Sequence, residues 1–207
     1  MSFASSALNW LYTHLIELTA VMTGLLYVIF TIREKISLWL FGIISSGLYV
    51  WIFFKSGIYA YAVLYVYYVV IGFYGWYNWS GKSASLDLPE KLIIRKASKV
   101  YLWLCIAVTG VLIIPLYCIL RKFTASDMAF ADALLTSGGM VATWMLTQKF
   151  IEQWLFWIVI DLFSLGVMIY KELYPSALLF LVYSMLAIKG YLEWKKEMRL
   201  QLTRQSE

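Results

Sequence analysis

Residues 100–120 read VYLWLCIAVTGVLIIPLYCIL, an apolar stretch without a charged side chain. A helix crosses the hydrocarbon core of a bilayer in about 20 apolar residues, so this stretch predicts a membrane-spanning helix. The composition agrees, because 62% of the chain is hydrophobic and only 14% is charged. The sequence therefore predicts an integral membrane protein and excludes a soluble domain of ordinary composition.

Similar apolar runs lie on both sides of this stretch, three before it and three after it. Charged or turn-forming residues separate them, as expected for loops between membrane helices. We therefore predict an all-α integral membrane fold with seven transmembrane helices, at residues 8–32, 36–54, 58–79, 100–120, 125–147, 151–171 and 174–194. Two other segments are polar, a cytoplasmic linker at 81–99 and a basic cytoplasmic tail at 196–207.

The chain repeats itself at a shift of 115 residues. Trp39-Leu40-Phe41 recurs as Trp154-Leu155-Phe156, and the match continues through the following helix. Further matches are Tyr59 with Tyr174, Ala62 with Ala177, Tyr68 with Tyr183, Gly75 with Gly190 and Trp79 with Trp194. We expect two parallel three-helix repeats, at 1–80 and 121–195, joined by the helix at 100–120. Parallel repeats recur in carriers, with the substrate site between the halves near the midplane.

Basic residues near the helix ends predict the orientation. The net charge is +5, and most Lys and Arg residues fall in segments that share one side, including Lys149 and the linker. The positive-inside rule then places the N-terminus outside and the C-terminus in the cytoplasm, and it explains the charge without nucleic acid. No basic flank precedes the first apolar run, so we expect Met1 to begin the mature chain. Three aromatic residues near helix ends are expected as interface anchors: Trp10, Trp79 and Trp194.

One face of the sixth predicted helix carries an acid and two aromatic side chains. Trp154, Trp157 and Asp161 stand at i, i+3 and i+7, and therefore on one face. A carboxylate inside a membrane is costly unless it faces a polar or wet interior, and it usually marks function. Two π surfaces and one carboxylate suit a flat, positively charged ligand. The alternative is structural: the Trp residues pack, and Asp161 pairs with a Lys or Tyr to hold two helices together.

The corresponding face of the second helix carries Trp39, Gly42 and Ser46. It keeps one aromatic ring but has small residues in place of bulk and charge, so we expect one half to supply most ligand contacts. Trp39 and Ser46 join the candidate site. The remaining candidates are phenols deep in the third and seventh helices, where a hydroxyl needs a partner: Tyr65, Tyr68 and Tyr183. No pattern suits a metal ion, a cofactor or a hydrolase, so we expect no enzyme.

Four motifs occur together in this chain. They are W-x-x-W-x-x-x-D at 154–161, I-Y-K at 169–171, L-Y-P at 173–175 and Y-G-W-Y-N-W at 74–79. Over nearly the whole chain they resemble the PnuC family of bacterial vitamin transporters. That family is similar to the sugar-transporting SWEET proteins, so the resemblance implies their 3+1+3 plan.

The resemblance also implies a function. Family members transport nicotinamide riboside or thiamine by facilitated diffusion, and phosphorylation in the cytoplasm traps the vitamin. They form trimers, and we expect a homotrimer surrounded by lipid in the bacterial inner membrane. Trp154 and Trp157 would hold the aromatic ring, and Asp161 its polar groups or positive charge. Nicotinamide riboside is the first expectation because it is the commoner substrate. Thiamine stays open, because Tyr61 and Tyr65 stand where riboside carriers often have an acid and an amide.

Two hypotheses from other classes remain. A seven-helix photoreceptor needs a Schiff-base Lys well inside its last helix, but Lys189 lies near the cytoplasmic end. A purely structural membrane protein predicts that substitution of Trp157 or Asp161 damages folding without a separate effect on ligand binding.

Overall fold

The computed structural model describes residues 19, 22–55, 57, 59–81, 92–124 and 126–205. Within this part, the chain forms seven helices and no β-sheet. They are α1 (Met22–Ile32), α2 (Ser37–Lys55), α3 (Tyr59–Trp79), α4 (Lys99–Phe123), α5 (Ala129–Thr147), α6 (Gln153–Tyr170) and α7 (Tyr174–Gln205). Most of the predicted first helix, including Trp10, lies outside the described residues.

Among the described residues, five helices are long and apolar enough to cross a membrane: α2, α4, α5, α6 and the Ser176–Arg204 part of α7. The 21 residues of α3 are also long enough to cross a membrane. The described part of α1 is short. The prediction of an all-helical, multi-pass membrane protein is confirmed.

The last helix extends beyond its predicted end at residue 194 and continues to Gln205. Residues 195–205 contain neither Gly nor Pro, and charged helix formers such as Lys and Arg continue a helix outside the bilayer. This extension is not a free tail, because Met198 is buried and Gln201 Oε1 accepts a hydrogen bond from the Ile94 backbone N–H at 3.2 Å. Hydropathy locates the point where a helix leaves the membrane, and it does not locate the end of the helix.

Two glycines and two tryptophans form the same contact in both halves of the chain. A Cβ added to Gly75 would lie 2.4 Å from the Trp39 ring. A Cβ added to Gly190 would lie 2.5 Å from the Trp154 ring. The backbone of α3 therefore lies directly against an indole of α2, and that of α7 lies against an indole of α6. Positions that match in the two halves of the sequence therefore also make the same packing contact.

Trp79 and Trp194 are buried, so their assignment as interface anchors is wrong. Their exposed fractions are 7% and 0%. The Trp79 indole N–H donates to the Leu146 carbonyl at 3.3 Å, and that of Trp194 donates to the Thr31 carbonyl at 3.0 Å. These two carbonyls are also 115 residues apart. Each half therefore donates one hydrogen bond to the equivalent carbonyl of the other half.

Next to these indoles, an ion pair connects the two halves. Lys149 Nζ lies 2.9 Å from Glu34 Oε2, and the two side chains are only 3% and 18% exposed. Both residues have positive φ, 54° and 50°, in the turns after α5 and α1. The two positions are equivalent at the shift of 115 residues. Lys149 Nζ also lies 4.4 Å from the centroid of the Trp79 ring, which adds a cation–π contact.

We expect Glu34→Gln and Lys149→Met each to lower the free energy of unfolding by about 3 kcal/mol, because each leaves one buried charge without its partner. The double variant Glu34→Lys, Lys149→Glu is the matched control, since the two positions have the same backbone geometry. It should recover most of the loss. The measurement is unfolding of the purified protein in detergent. If the double variant is less stable than Glu34→Lys alone or Lys149→Glu alone, the two positions are not equivalent.

At the other end of α5, a second ion pair is exposed. Lys171 Nζ lies 2.6 Å from Asp127 Oδ1. The hydrogen bond between them lowers the pKa of the Asp127 carboxyl and raises the pKa of the Lys171 amine. Exposed pairs contribute little to stability, and this one joins two loops of the same half.

Candidate functional site

The larger of two neighbouring cavities has a volume of about 300 Å³. It lies among α1, α3, α6 and α7, and the α5 residue Leu146 also lines it. Five predicted site residues line it: Tyr65, Trp154, Trp157, Asp161 and Tyr183. This volume is at the lower end of the range for small-molecule sites.

The smaller cavity has a volume of about 140 Å³, and the other three predicted residues line it: Trp39, Ser46 and Tyr68. Gly24, Tyr27 and Trp157 line both cavities, so the two adjoin at these residues. The structure thus brings every predicted site residue into one pair of adjoining cavities between the halves.

The two cavities are built from equivalent positions. The pairs related by 115 residues, with the smaller cavity first, are Trp39 and Trp154, Gly42 and Trp157, Ser46 and Asp161, Tyr68 and Tyr183, Gly72 and Ala187, and Thr143 and Val28. The carboxylate lines only the larger cavity, and Trp157, the counterpart of Gly42, lines both. The pseudosymmetry of the two cavities is therefore broken at the carboxylate.

Asp161 is a buried acid that lines the larger cavity. Its exposed fraction is 6%, and no described residue forms a hydrogen bond or an ion pair with its carboxylate. The pairing with a Lys or Tyr that the structural alternative requires is therefore not observed within the described residues. A buried carboxylate without a partner is costly, and a cationic ligand in the cavity would offset that cost.

The two tryptophans of α6 have different surroundings. Trp154 is 3% exposed, and its ring packs against Gly190 and edge-on against Trp194, with centroids 5.7 Å apart. Trp157 is only half-buried and borders both cavities. Its ring therefore has the more accessible surface for a ligand, while Trp154 also forms part of the packing between helices.

Sequence reasoning missed Gln153, the first residue of α6. Its side chain is fully buried, it lines the larger cavity, and neither its Oε1 nor its Nε2 has a hydrogen-bond partner among the described residues. The sequence did contain a signal for this residue, because Gln153 is a polar residue directly before Trp154, in a turn of α6 that is buried. Tyr27 and Thr143 were also missed, because α1 and α5 contribute them and the spacing within one helix cannot show such contacts.

Two other possibilities lack structural support. Lys189 is exposed and lines neither cavity, so it is not placed to hold a buried chromophore. Within the ranges that the structure describes, no three His, Cys, Asp or Glu residues come close enough to hold a metal ion.

Residues 14–196 match the family described as nicotinamide mononucleotide transporter. The chain belongs to this family. Members of the nicotinamide mononucleotide transporter family are membrane transporters and not enzymes, so the predicted absence of enzymatic activity is confirmed. The predicted resemblance of the chain to the PnuC family is confirmed as well.

Curated relatives in this family carry the name nicotinamide riboside transporter PnuC. The protein from Escherichia coli K12 is 26% identical over 201 residues, covering 86% of this chain and 84% of its own. Those from Neisseria mucosa and Haemophilus influenzae are also 26% identical, over 185 and 177 residues. They cover 86% and 84% of this chain, and 70% and 76% of their own lengths.

A solved structure has the same fold. The crystal structure of the vitamin B3 transporter PnuC superposes with a TM-score of 0.72 at 22% sequence identity. The alignment covers 94% of this chain and 86% of the other. The chain is thus a multi-pass membrane transporter with the PnuC fold.

Proposed function

We propose that this transporter mediates facilitated diffusion of a cationic aromatic vitamin, with nicotinamide riboside as the substrate. The observation that carries this proposal is the buried carboxylate of Asp161, which has no partner among the described residues and borders a cavity beside Trp157. The pyridinium ring of nicotinamide riboside is flat and positively charged. It can stack on the Trp157 ring while its charge faces Asp161. The names of the curated relatives agree with this substrate.

We further propose a 3+1+3 plan in which α1–α3 and α5–α7 are parallel repeats related by a pseudo-two-fold axis. The reciprocal hydrogen bonds of Trp79 and Trp194, and the paired Gly–Trp contacts, support this plan. With the N-terminus outside and the C-terminus in the cytoplasm, the Glu34–Lys149 ion pair lies on the cytoplasmic side. The structure then represents a state whose halves are joined on that side, and release of the vitamin inward requires these bonds to separate.

The transporter is proposed to act as a homotrimer in the bacterial inner membrane, with phosphorylation of the vitamin in the cytoplasm as the trap. The apolar surface of α4 supports contacts with lipid or with other subunits. Four of its large side chains are 67–79% exposed: Val100, Trp103, Val111 and Ile114. Thiamine is the alternative substrate, since it also has a flat cationic ring, and Tyr65 lines the larger cavity at a position where riboside carriers often have an amide.

Titration of the purified protein with nicotinamide riboside and, separately, thiamine tests the proposal through quenching of tryptophan fluorescence. We expect saturable quenching by nicotinamide riboside, with affinity at least tenfold lower in Trp157→Ala because stacking and the cation–π contact are lost. The matched control is Trp103→Ala, which removes an exposed indole of α4 that lines neither cavity. Saturation by thiamine alone would reassign the substrate. A response to neither compound contradicts the proposed function and leaves the fold unaffected.

A further inference from the structure

The end of α5 and the turn that follows it join the two halves of the chain. Four consecutive residues, 146–149, each bond to the first half. The Leu146 and Thr147 carbonyls accept hydrogen bonds from Trp79 and Asn78, the Gln148 amide donates to the Tyr74 hydroxyl, and Lys149 pairs with Glu34. We call these four contacts the cytoplasmic closure, because the proposed orientation places them on that side.

The same turn is also bonded to the end of the linker. Residues 92–98 precede α4, and Arg95 pairs with Phe150 in a parallel β-bridge. The Arg95 backbone N–H donates to the Lys149 carbonyl, and the Ile151 N–H donates to the Arg95 carbonyl, both at 3.1 Å. The linker therefore fixes the backbone of the turn whose residues form the cytoplasmic closure.

The side chain of Arg95 adds contacts to two residues of the turn. Its Nε donates to the Gln148 carbonyl and its Nη2 to Gln148 Oε1, both at 3.1 Å. The guanidinium also lies 4.5 Å from the centroid of the Phe150 ring. Because the cation holds Oε1, the Nε2 of the same amide faces the Tyr74 hydroxyl and donates to it at 3.1 Å. Arg95 thus orients the amide that bonds to the first half.

The equivalent turn of the first half shows that a helix connection of this shape does not require a neighbouring strand. Residues 33–37 correspond to 148–152 at the shift of 115 residues, and Glu34 and Lys149 have nearly the same positive φ. Within the described ranges, no segment pairs with the turn at 33–37 as the linker pairs with that at 148–152. The linker contact is therefore specific to the second half.

We propose that Arg95 is a positioning residue for transport, which holds the turn between α5 and α6 in the shape that closes the cytoplasmic side. This role rests on the proposed function, in which the same side opens to release the vitamin. Arg95 lines neither cavity, so it acts through the turn and not through the ligand. Without its contacts the turn gains other conformations, and the closed state loses stability relative to the open state.

The test measures opening of the cytoplasmic side through the reactivity of a buried cysteine. Thr31 is 3% exposed, lines the larger cavity and stands three residues before Glu34. In a protein whose free cysteines are removed by Cys105→Ser and Cys118→Ser, Thr31→Cys is alkylated with a membrane-impermeant maleimide. Inside-out vesicles present the cytoplasmic face to the reagent. Arg95→Met should raise the alkylation rate about three- to tenfold, as expected when charged hydrogen bonds at an exposed site are lost.

Three further variants separate this role from a general loss of stability. Lys96→Met removes the neighbouring exposed cation and should leave the rate within about twofold. Ser137→Cys is a second reporter, fully buried in α5 and lining neither cavity, and its rate should not respond to Arg95→Met. Glu34→Gln breaks the ion pair of the closure directly and should raise the rate at Thr31→Cys at least as much as Arg95→Met does.

If Arg95→Met does not fold, Glu152→Gln decides instead. Its Oε2 accepts a hydrogen bond from the Ala97 N–H of the linker at 2.9 Å, so this milder variant weakens the same contact and should raise the rate in the same direction.

If Arg95→Met has no more effect than Lys96→Met, or if it raises the rates of both reporters equally, Arg95 does not position the closure. The inference is then wrong while the proposed function stands. If even Glu34→Gln leaves the rate at Thr31→Cys unchanged, this side does not open as proposed, and the proposed transport fails together with the inference. The measurement requires no ligand, so its result does not depend on which vitamin binds.

Discussion

We expect Asp161→Asn to lower the affinity for nicotinamide riboside by about a hundredfold or more, while the protein remains folded. The substitution keeps the size of the side chain but removes the negative charge that faces the cavity. Removing one partner of a buried charge pair typically costs about 2–5 kcal/mol of binding free energy. Binding titrations by tryptophan quenching or calorimetry measure the loss. Because no described residue pairs with this carboxylate, its removal breaks no ion pair in the described part of the fold.

The matched control for this substitution is Asp132→Asn. Asp132 is an acid in the first turn of α5, and its Oδ2 accepts hydrogen bonds from the hydroxyls of Tyr61 and Ser126. It lines neither cavity, so its neutralisation should leave affinity within about threefold of the unmodified protein. Unchanged affinity in Asp161→Asn, or misfolding of that variant, would favour the structural reading of the site.

Gly75→Ala and Gly190→Ala should each destabilise the fold by about 3 kcal/mol or prevent folding. In each case the new Cβ would lie about 2.5 Å from an indole ring, far inside van der Waals contact. Trp39 and Trp154 are only 1% and 3% exposed, and each ring would have to shift toward the cavity that it lines. Overpacking a well-filled core costs about 1–3 kcal/mol, and the rigid ring must move with its whole helix. The two variants should lose similar amounts, since the two contacts have the same geometry.

Two other helical glycines provide the controls. A Cβ on Gly110 or Gly166 would meet nothing within 4 Å. Alanine is favoured over glycine within a helix, so Gly110→Ala and Gly166→Ala should leave the unfolding temperature in detergent unchanged or slightly higher. If all four variants had the same unfolding temperature, the contacts between glycine and tryptophan would not restrict the size of the residue at positions 75 and 190.

The helices, and the face of α6 that lines the site, could be predicted because both depend on the pattern of residues within one segment. Apolar runs located α2 to α6 to within a few residues, whereas α7 continues as a polar helix beyond its predicted end. The spacing of Trp154, Trp157 and Asp161 placed them on one face, and the structure places that face at the larger cavity. The repeat at a shift of 115 residues also identified, from the sequence alone, which positions of the two halves correspond.

The features that were missed depend on contacts between distant segments. Trp79 has the position of an interface anchor along its own helix, and its burial depends on contacts with the other half, including the hydrogen bond to the Leu146 carbonyl. Gln153 stands at a helix start, where polar residues are usually exposed. Its burial depends on neighbouring helices that no local pattern specifies. Tyr27 reaches both cavities from α1 for the same reason.

The Glu34–Lys149 ion pair has a consequence for the ancestry of the chain. If the two halves arose by duplication of one three-helix unit, a homodimer of that unit had the same residue at this position in both subunits. Two copies of the present first half would bring Glu34 against Glu34, and two copies of the second would bring Lys149 against Lys149. Since like charges at such close range repel, neither half can now form that homodimer. At this pair the two halves are therefore complementary and not interchangeable.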